Sequence, residues 1–198
     1  MNVWAIVLAA GEGRRLGGGK LTLPYGGTTI IGAVVSALES SAVTRIVAVV
    51  GRYAEQIQSA LQSVESVSFV VNPRPQDGML GSIKRGVESI PDDVDGFLIV
   101  LGDQPEVPRE TIDALISAAN ESDRLMFIPM ADGRRGHPVL FRYTVRDSIL
   151  ALSDNVRLNT WRDDNPELVQ LVPVESTAVL EDIDTPEDYR EAILRAPT

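Results

Sequence analysis

The sequence predicts a three-layer α/β/α protein with a mostly parallel central sheet, and three observations carry that prediction. Short apolar runs recur along the chain, amphipathic stretches of helical length separate them, and the first run empties into a glycine-rich basic loop. Near-continuous apolar runs suit strands buried on both faces, and their alternation with helices suits βαβ crossovers. At 198 residues and 44% hydrophobic, the chain has the material for one domain, 1–198, around such a core.

The first strand runs from Val3 to Leu8. The loop after it, Gly11 to Lys20, holds five glycines together with Arg14, Arg15 and Lys20. Backbone N–H groups and cations brought together in this way suit a polyphosphate. Two familiar loops are excluded. A P-loop needs glycine five residues before its Gly-Lys pair and Ser or Thr after the lysine, whereas Arg14 and Leu21 stand there. The dinucleotide fingerprint starts at Gly11 and Gly13 but meets Leu16 where its third glycine belongs. The second strand, Arg45 to Val50, ends in Gly51-Arg52 without the acid that would bind a ribose. An NADP-dependent dehydrogenase, suggested by Arg52, therefore ranks last.

Between these strands, Thr29 to Leu38 places Ile30, Val34 and Leu38 on one helical face. Val67 to Val71 forms the next strand. The segment Asn72 to Ser82 is an extended turn opening a helix from Gly78 to Ile90, with Met79, Ile83, Val87 and Ile90 on its apolar face and Asp77 as its cap. Gly96 to Leu101 follows as a central strand, and Pro108 begins a helix from Arg109 to Asn120. After a strand at Leu125 to Pro129, the polar stretch Ala131 to Pro138 reads as an excursion covering the site. Helices, a strand near Leu168 to Val172 and a last helix started by Thr185-Pro186 complete the chain. No internal repeat, low-complexity tract or linker interrupts it.

The net charge of -10 argues against a nucleic-acid partner, whose phosphates demand a basic face. Positive charge is instead local: residues 1–27 hold Arg14, Arg15 and Lys20 against the single acid Glu12, which suits a small anionic ligand. The absence of cysteine removes disulfides, thiolate metal sites and cysteine nucleophiles. No apolar stretch is long enough to span a bilayer, and no basic leader precedes one, so a cytoplasmic protein without membrane contact is expected. It is expected to be a monomer or weak homo-oligomer.

In a parallel sheet, ligands gather outside the carboxyl ends of the strands. Asp103, in Gly102-Asp103-Gln104-Pro105, stands at such an end and has two common uses, binding Mg²⁺ or capping a turn. Asp184 lies before the last helix. Because Thr185 can cap that helix, Asp184 is free to face the cleft, and Mg²⁺ typically takes one or two carboxylates besides phosphate oxygens and waters. Ser82 offers a hydroxyl to a base or ribose, unless the segment is a plain strand-to-helix loop. His137, the only histidine, is either structural, a general base or a donor that positions a ligand.

Taken together, Leu8-Ala9-Ala10-Gly11 with Arg15, Gly17 and Lys20 resembles the L-A-A-G-x-[SG]-x-R-M-G-x-x-K signature of the MobA-like nucleotidyltransferase family. Leu16 replaces the usual methionine. Further matches occur in family order at Asn72, Gly78, Met79 and Ser82, at Gly102-Asp103-Gln104-Pro105, at Gly136-His137-Pro138 with Phe141, and at Asp182 to Asp188. Ala10 and the G-D-Q-P and G-H-P motifs look most like the molybdenum cofactor cytidylyltransferase branch. Ser153 to Leu158 departs from that branch: Asp154 and Arg157 survive but two glycines are missing.

The resemblance implies a Rossmann-like sheet of the nucleotide-diphospho-sugar transferase type and Mg²⁺-dependent transfer of a nucleoside monophosphate from CTP to molybdopterin, with release of pyrophosphate. It implies that Arg15, Lys20 and Asp103 are catalytic, with Asp103 and Asp184 on the metal. Leu8, Ala9, Ala10, Gly11, Gly13, Arg15, Lys20, Asn72, Gly78 and Ser82 would bind the nucleotide, and His137 and Arg157 the acceptor. The alternatives are GTP, a sugar or methylerythritol phosphate acceptor, and a non-catalytic nucleotide-binding accessory protein that hands a cofactor to a molybdoenzyme.

Overall fold

A computed structural model describes residues 1–75, 78–153, 156 and 158–196. In chain order the strands are β1 (Val3–Ala9), β2 (Pro24–Tyr25), β3 (Thr28–Thr29), β4 (Arg45–Val50), β5 (Val67–Val71), β6 (Gly96–Leu101), β7 (Met126–Ala131), β8 (Arg134–Arg135), β9 (Val139–Arg142) and β10 (Val169–Pro173). The helices are α1 (Ile30–Glu39), α2 (Ala54–Ala60), α3 (Met79–Ser89), α4 (Arg109–Glu121), α5 (Arg146–Leu150), α6 (Leu158–Asp164) and α7 (Pro186–Arg195).

The main sheet has the order β10-β7-β9-β6-β1-β4-β5, with β8 hairpinned onto β7. β1 pairs in parallel with β4 and β6, β4 with β5, and β7 with β10, while β9 runs antiparallel between β6 and β7. The mostly parallel, layered architecture is as the sequence predicts. The strand β9 is not, because its four residues are too short to separate from the turn before it.

Side-chain alternation along β1 divides the core between the two faces of the sheet. Val3, Ala5, Val7 and Ala9 pack with residues of α1, α2 and α4, whereas Ile6 packs with Ile83 and Val87 of α3, Ile149 of α5 and Trp161 of α6. Both faces are thereby sealed. Each fully buried aliphatic or aromatic side chain contributes on the order of 1.5–3 kcal/mol. On the α3 face, Phe141 of β9 stacks on Phe97 at 5.6 Å and meets the edge of Trp161 at 6.0 Å. Gly86 lets α3 approach β1, since a Cβ there would collide with Ile6.

Local chemistry sets the helix starts. The Thr29 hydroxyl accepts from the Gly32 N–H at 3.1 Å, capping α1. At α7, Thr185 and Asp188 form a reciprocal capping box, with Pro186 in the first turn. The proposed cap of α3, Asp77, lies outside the described residues. The sequence reading missed α2, a seven-residue helix without a side-chain cap. Among the described residues, no helix is long and apolar enough to cross a membrane.

Candidate active site

The carboxyl ends of β1 and β6 lie side by side, with Leu8 registered on Leu101. The chain leaving β1 turns through a 3-10 segment at Arg14–Leu16 and another at Lys20–Thr22, joined by Gly17, Gly18 and Gly19, all with positive φ. At Gly18, with φ 94°, a side chain would be strained and would also strike the Tyr53 hydroxyl. Tyr53, at the start of the unpredicted α2, therefore braces the loop. The N–H groups of Gly11, Glu12 and Gly13 find no acceptor among the described residues. They remain available to a ligand.

This loop delivers Lys20 to the two carboxylates singled out in the sequence. Lys20 Nζ donates to Asp103 Oδ2 at 2.7 Å, to Asp184 Oδ1 at 2.7 Å and to the Ile183 carbonyl at 2.9 Å. The lysine side chain is only 11% exposed. Burial alone would lower its pKa, but the charges and hydrogen bonds of Asp103 and Asp184 outweigh it and hold the ammonium above the usual lysine range. Arg15, largely exposed, reaches Asp184 Oδ2 at 3.3 Å. A pair so open to solvent contributes little to stability.

Asp184 is aimed by its own backbone. The Asp188 carboxylate accepts from the N–H groups of Asp184 at 3.0 Å and Thr185 at 2.7 Å, and these bonds lower its pKa. Capping thus falls to Thr185 and Asp188, and the Asp184 carboxylate is left for Lys20. The Ile183 N–H donates to the Asp103 carbonyl at 3.0 Å, tying the segment before α7 to the end of β6. Two side chains that sequence reasoning left without a role join this cluster. Gln104, buried, donates to Asp182 Oδ1 at 2.7 Å. The Asp182 carboxyl is raised by burial and by the charge of Asp103. Their only signal was their place inside the two motifs.

Asn72 and Ser82, both buried, meet each other: the Asn72 amide donates to the Ser82 hydroxyl at 3.0 Å, and Asn72 Oδ1 accepts from the Arg74 N–H at 3.0 Å. Ser82 thus pins the turn that opens α3. Gly78, with φ 106°, stands at the entrance of that helix. Leu8 and Ala9 end β1 and Ala10 follows it, with Ala9 and Ala10 buried.

A cavity of about 580 Å³ lies between α3, α6 and the strands β6, β7 and β9. Gly78 and Met79 border one part of it, and Arg135, Gly136 and His137 another. Its walls are mainly aliphatic, including Ile83, Ile99, Ile128, Val139 and Leu158, while its polar side chains are Arg135, His137, Asn159 and Arg162. Gly136 is needed because a Cβ there would run into Val179. The His137 N–H donates to the Val179 carbonyl at 2.9 Å, and His137 Nδ1 is buried without a partner among the described residues. Burial lowers the His137 pKa, partly opposed by the Ile99 backbone and the Asp103 charge. Arg157 and Asp154 lie outside the described residues.

The donor set can be tested for a divalent cation. An ammonium already sits between Asp103 and Asp184, which marks the spot as one where positive charge is favourable. Among the described residues no group of three or more acidic or imidazole ligands gathers. Two carboxylates beside a glycine-rich basic loop are nevertheless a donor set that suits Mg²⁺, which keeps several waters and takes substrate phosphates.

The model of the MobA-like NTP transferase domain matches residues 5–169. Two curated relatives align along nearly the whole chain. Nicotine blue oxidoreductase of Paenarthrobacter nicotinovorans is 29% identical over 95% of both chains. Molybdenum cofactor cytidylyltransferase of Escherichia coli (strain K12) is 25% identical over 93% of this chain and 92% of its own. By contrast, the chain spans only 26% of the bifunctional protein GlmU of Synechococcus sp. (strain RCC307), at 30% identity. Among solved structures, Rv0371c of Mycobacterium tuberculosis shares the fold with a TM-score of 0.87 at 24% identity over 98% of both chains. A second structure of Rv0371c, a complex with manganese, has a TM-score of 0.80 at 23% identity over 98% of this chain and 99% of that one.

Proposed function

The chain belongs to the family of MobA-like NTP transferase domains, as its motifs suggested, and on that premise we propose that residues 1–198 form one cytoplasmic enzyme that moves a nucleoside monophosphate from CTP to a molybdopterin-type acceptor and releases pyrophosphate. The observation that carries this reading is the convergence of Lys20, Asp103 and Asp184 below a loop whose Gly11 to Gly13 N–H groups lack acceptors among the described residues. The full-length cytidylyltransferase relative supports it.

A phosphate oxygen of the acceptor attacks the α-phosphorus while the bond to pyrophosphate breaks in line. Little covalent work falls to the protein, so positioning and charge carry catalysis. Arg15, Lys20 and the loop N–H groups hold the triphosphate and stabilise the charge that grows on the departing pyrophosphate. Leu8, Ala9, Ala10, Asn72, Gly78 and Ser82 form the base and ribose side, where Ala10 favours CTP over GTP. Asp103 and Asp184 would hold Mg²⁺, and a protein of the same fold, Rv0371c, has been solved in complex with manganese. When bound, the ion supplies Lewis-acid charge neutralisation at the phosphates.

His137 faces the acceptor, and Arg157, outside the described residues, is assigned to the acceptor by the resemblance alone. The cavity supports an acceptor with a flat ring, whose faces would pack on the aliphatic walls while its polar edge and phosphate would meet Arg135, His137, Asn159 and Arg162. A pyrophosphate-release screen of four NTPs against molybdopterin and several sugar phosphates tests the reading. Release with CTP and molybdopterin is expected. Release with a sugar phosphate alone would replace the acceptor, and NTP binding without any release would leave an accessory protein.

A second reading has one specific support, the oxidoreductase relative at 29% identity. It predicts NAD(P)H oxidation with a heteroaromatic dye in the same cavity. Failure of NAD(P)H to raise the Tm removes it.

A further inference from the structure

Lys20 stands where a divalent ion would have to stand. An ammonium has three N–H donors, and here each has an acceptor: one carboxylate oxygen from Asp103, one from Asp184 and the Ile183 carbonyl. Nothing on the nitrogen is left over for water or phosphate. The two carboxylates share the Lys20 ammonium, which is 11% exposed, and Asp184 also meets the exposed Arg15 guanidinium, so an added free ion meets positive charge before it meets both oxygens.

We propose that Lys20 makes the carboxylate pair selective for a metal–triphosphate complex over the free divalent ion. The ammonium fills the position between Asp103 and Asp184 until a triphosphate offers it a second set of anionic oxygens. Only then do the carboxylates become ligands.

Local structure makes such a move feasible. Lys20 follows three glycines with positive φ, and its four-carbon stem turns a compact charge through several ångströms without moving the backbone. Asp103 is fixed by the end of β6, and Asp184 by the Asp188 cap. The lysine is therefore the mobile partner and the carboxylates are the fixed ones. Charge balance points the same way. Two carboxylates with Lys20 and Arg15 leave no net charge, and a divalent ion added on top would leave two positive charges in a partly buried site. A triphosphate removes that excess.

This selectivity rests on the nucleotidyltransferase reading for the identity of its triphosphate, but occupancy of the site by Lys20 does not. The test uses the full chain and Mn²⁺ alone, with free aqueous Mn²⁺ followed by its electron paramagnetic resonance signal. The variant Lys20→Met keeps the length of the side chain and loses its charge. It is expected to bind Mn²⁺ at least ten times more tightly than the parent, and Asp103→Asn added to it should abolish the gain. The parent Tm should ignore Mn²⁺ and rise with Mn²⁺ plus inorganic tripolyphosphate, whereas Lys20→Met should respond to Mn²⁺ alone. If Lys20→Met is not folded by circular dichroism, Lys20→Gln carries the same comparison. Parent protein that binds Mn²⁺ as tightly as the neutral variant, or a neutral variant that binds none, overturns the proposal. Absence of pyrophosphate release with every NTP would instead strike the functional reading, and the Mn²⁺ result would still stand.

Discussion

The knot around Lys20 and the cavity beneath His137 share a wall of the same sheet yet are built on opposite rules. In the first, each ammonium donor is spent and two distant parts of the chain, at Asp103 and at Ile183-Asp184, are tied within 2.9 Å of the Lys20 nitrogen. In the second, a space of about 580 Å³ is walled mainly by aliphatic side chains, and His137 Nδ1, buried beside it, has no partner among the described residues. Charge needs few residues and tolerates little variation in where they sit. Shape draws on many residues, and each can be exchanged. In this chain, accordingly, the loop from Gly11 to Lys20 resembles a signature, whereas Ser153 to Leu158 departs from one.

The largest effect should follow from breaking the charged side. Asp103→Asn removes one of two fixed carboxylates without changing its size, and is expected to lower kcat for pyrophosphate release by about 10³-fold, in the range seen when a preorganised charge-stabilising group is lost. The Tm should fall by only a few degrees, because the Lys20 ammonium keeps Asp184 and the Ile183 carbonyl. A variant with near-parental kcat would show that the knot is a structural clasp.

A smaller and differently shaped effect belongs to the cavity. Leu158, at the start of α6, is part of its wall and only partly buried, so Leu158→Trp can narrow it without opening the core. The acceptor KM is expected to rise about tenfold, equivalent to roughly 1.4 kcal/mol of lost binding, while the CTP dissociation constant stays unchanged. Titration calorimetry with CTP and steady-state kinetics with the acceptor separate the two. A parallel loss of CTP affinity would mean that cavity and cradle are one site.

The two regions also differ in how far the sequence reveals them. Apolar runs locate β1, β4 and β6 to within a residue, because strands buried on both faces leave no doubt about period or length, and β5, half-exposed at the sheet edge, is found by its β-branched and aromatic run. Lys20, Asp103 and Asp184 are each visible in a motif. Their meeting is not, since the partners of Lys20 stand 83 and 164 residues away and only the sheet brings them together. The sequence assigns Lys20 to phosphate, and the fold shows it on carboxylates. For the cavity, the local signal is poorer still. Its floor includes β9, four residues inserted antiparallel between β6 and β7, a placement that long-range pairing decides and local pattern does not. The Gln104–Asp182 bond is legible only after Gly136, Val179 and the segment before α7 have been packed together.

The smallest expected effect joins the two regions through His137. Burial depresses its pKa below the ordinary 6.5, so at mildly acidic pH the unfolded chain binds a proton that the folded chain does not. Its contribution is therefore present above pH 6.5 and is lost as pH falls through the depressed value. The slope it adds to stability cannot exceed one proton, about 1.4 kcal/mol per pH unit. Measured as Tm between pH 7.5 and 5, the parent should lose more stability than His137→Gln, which has nothing to protonate. Equal slopes would mean that the imidazole takes up its proton without penalty, placing it in contact with water or with the Asp103 charge. In that event His137 would belong to the charged region, and the boundary between cradle and cavity would move to Arg135 and Asn159.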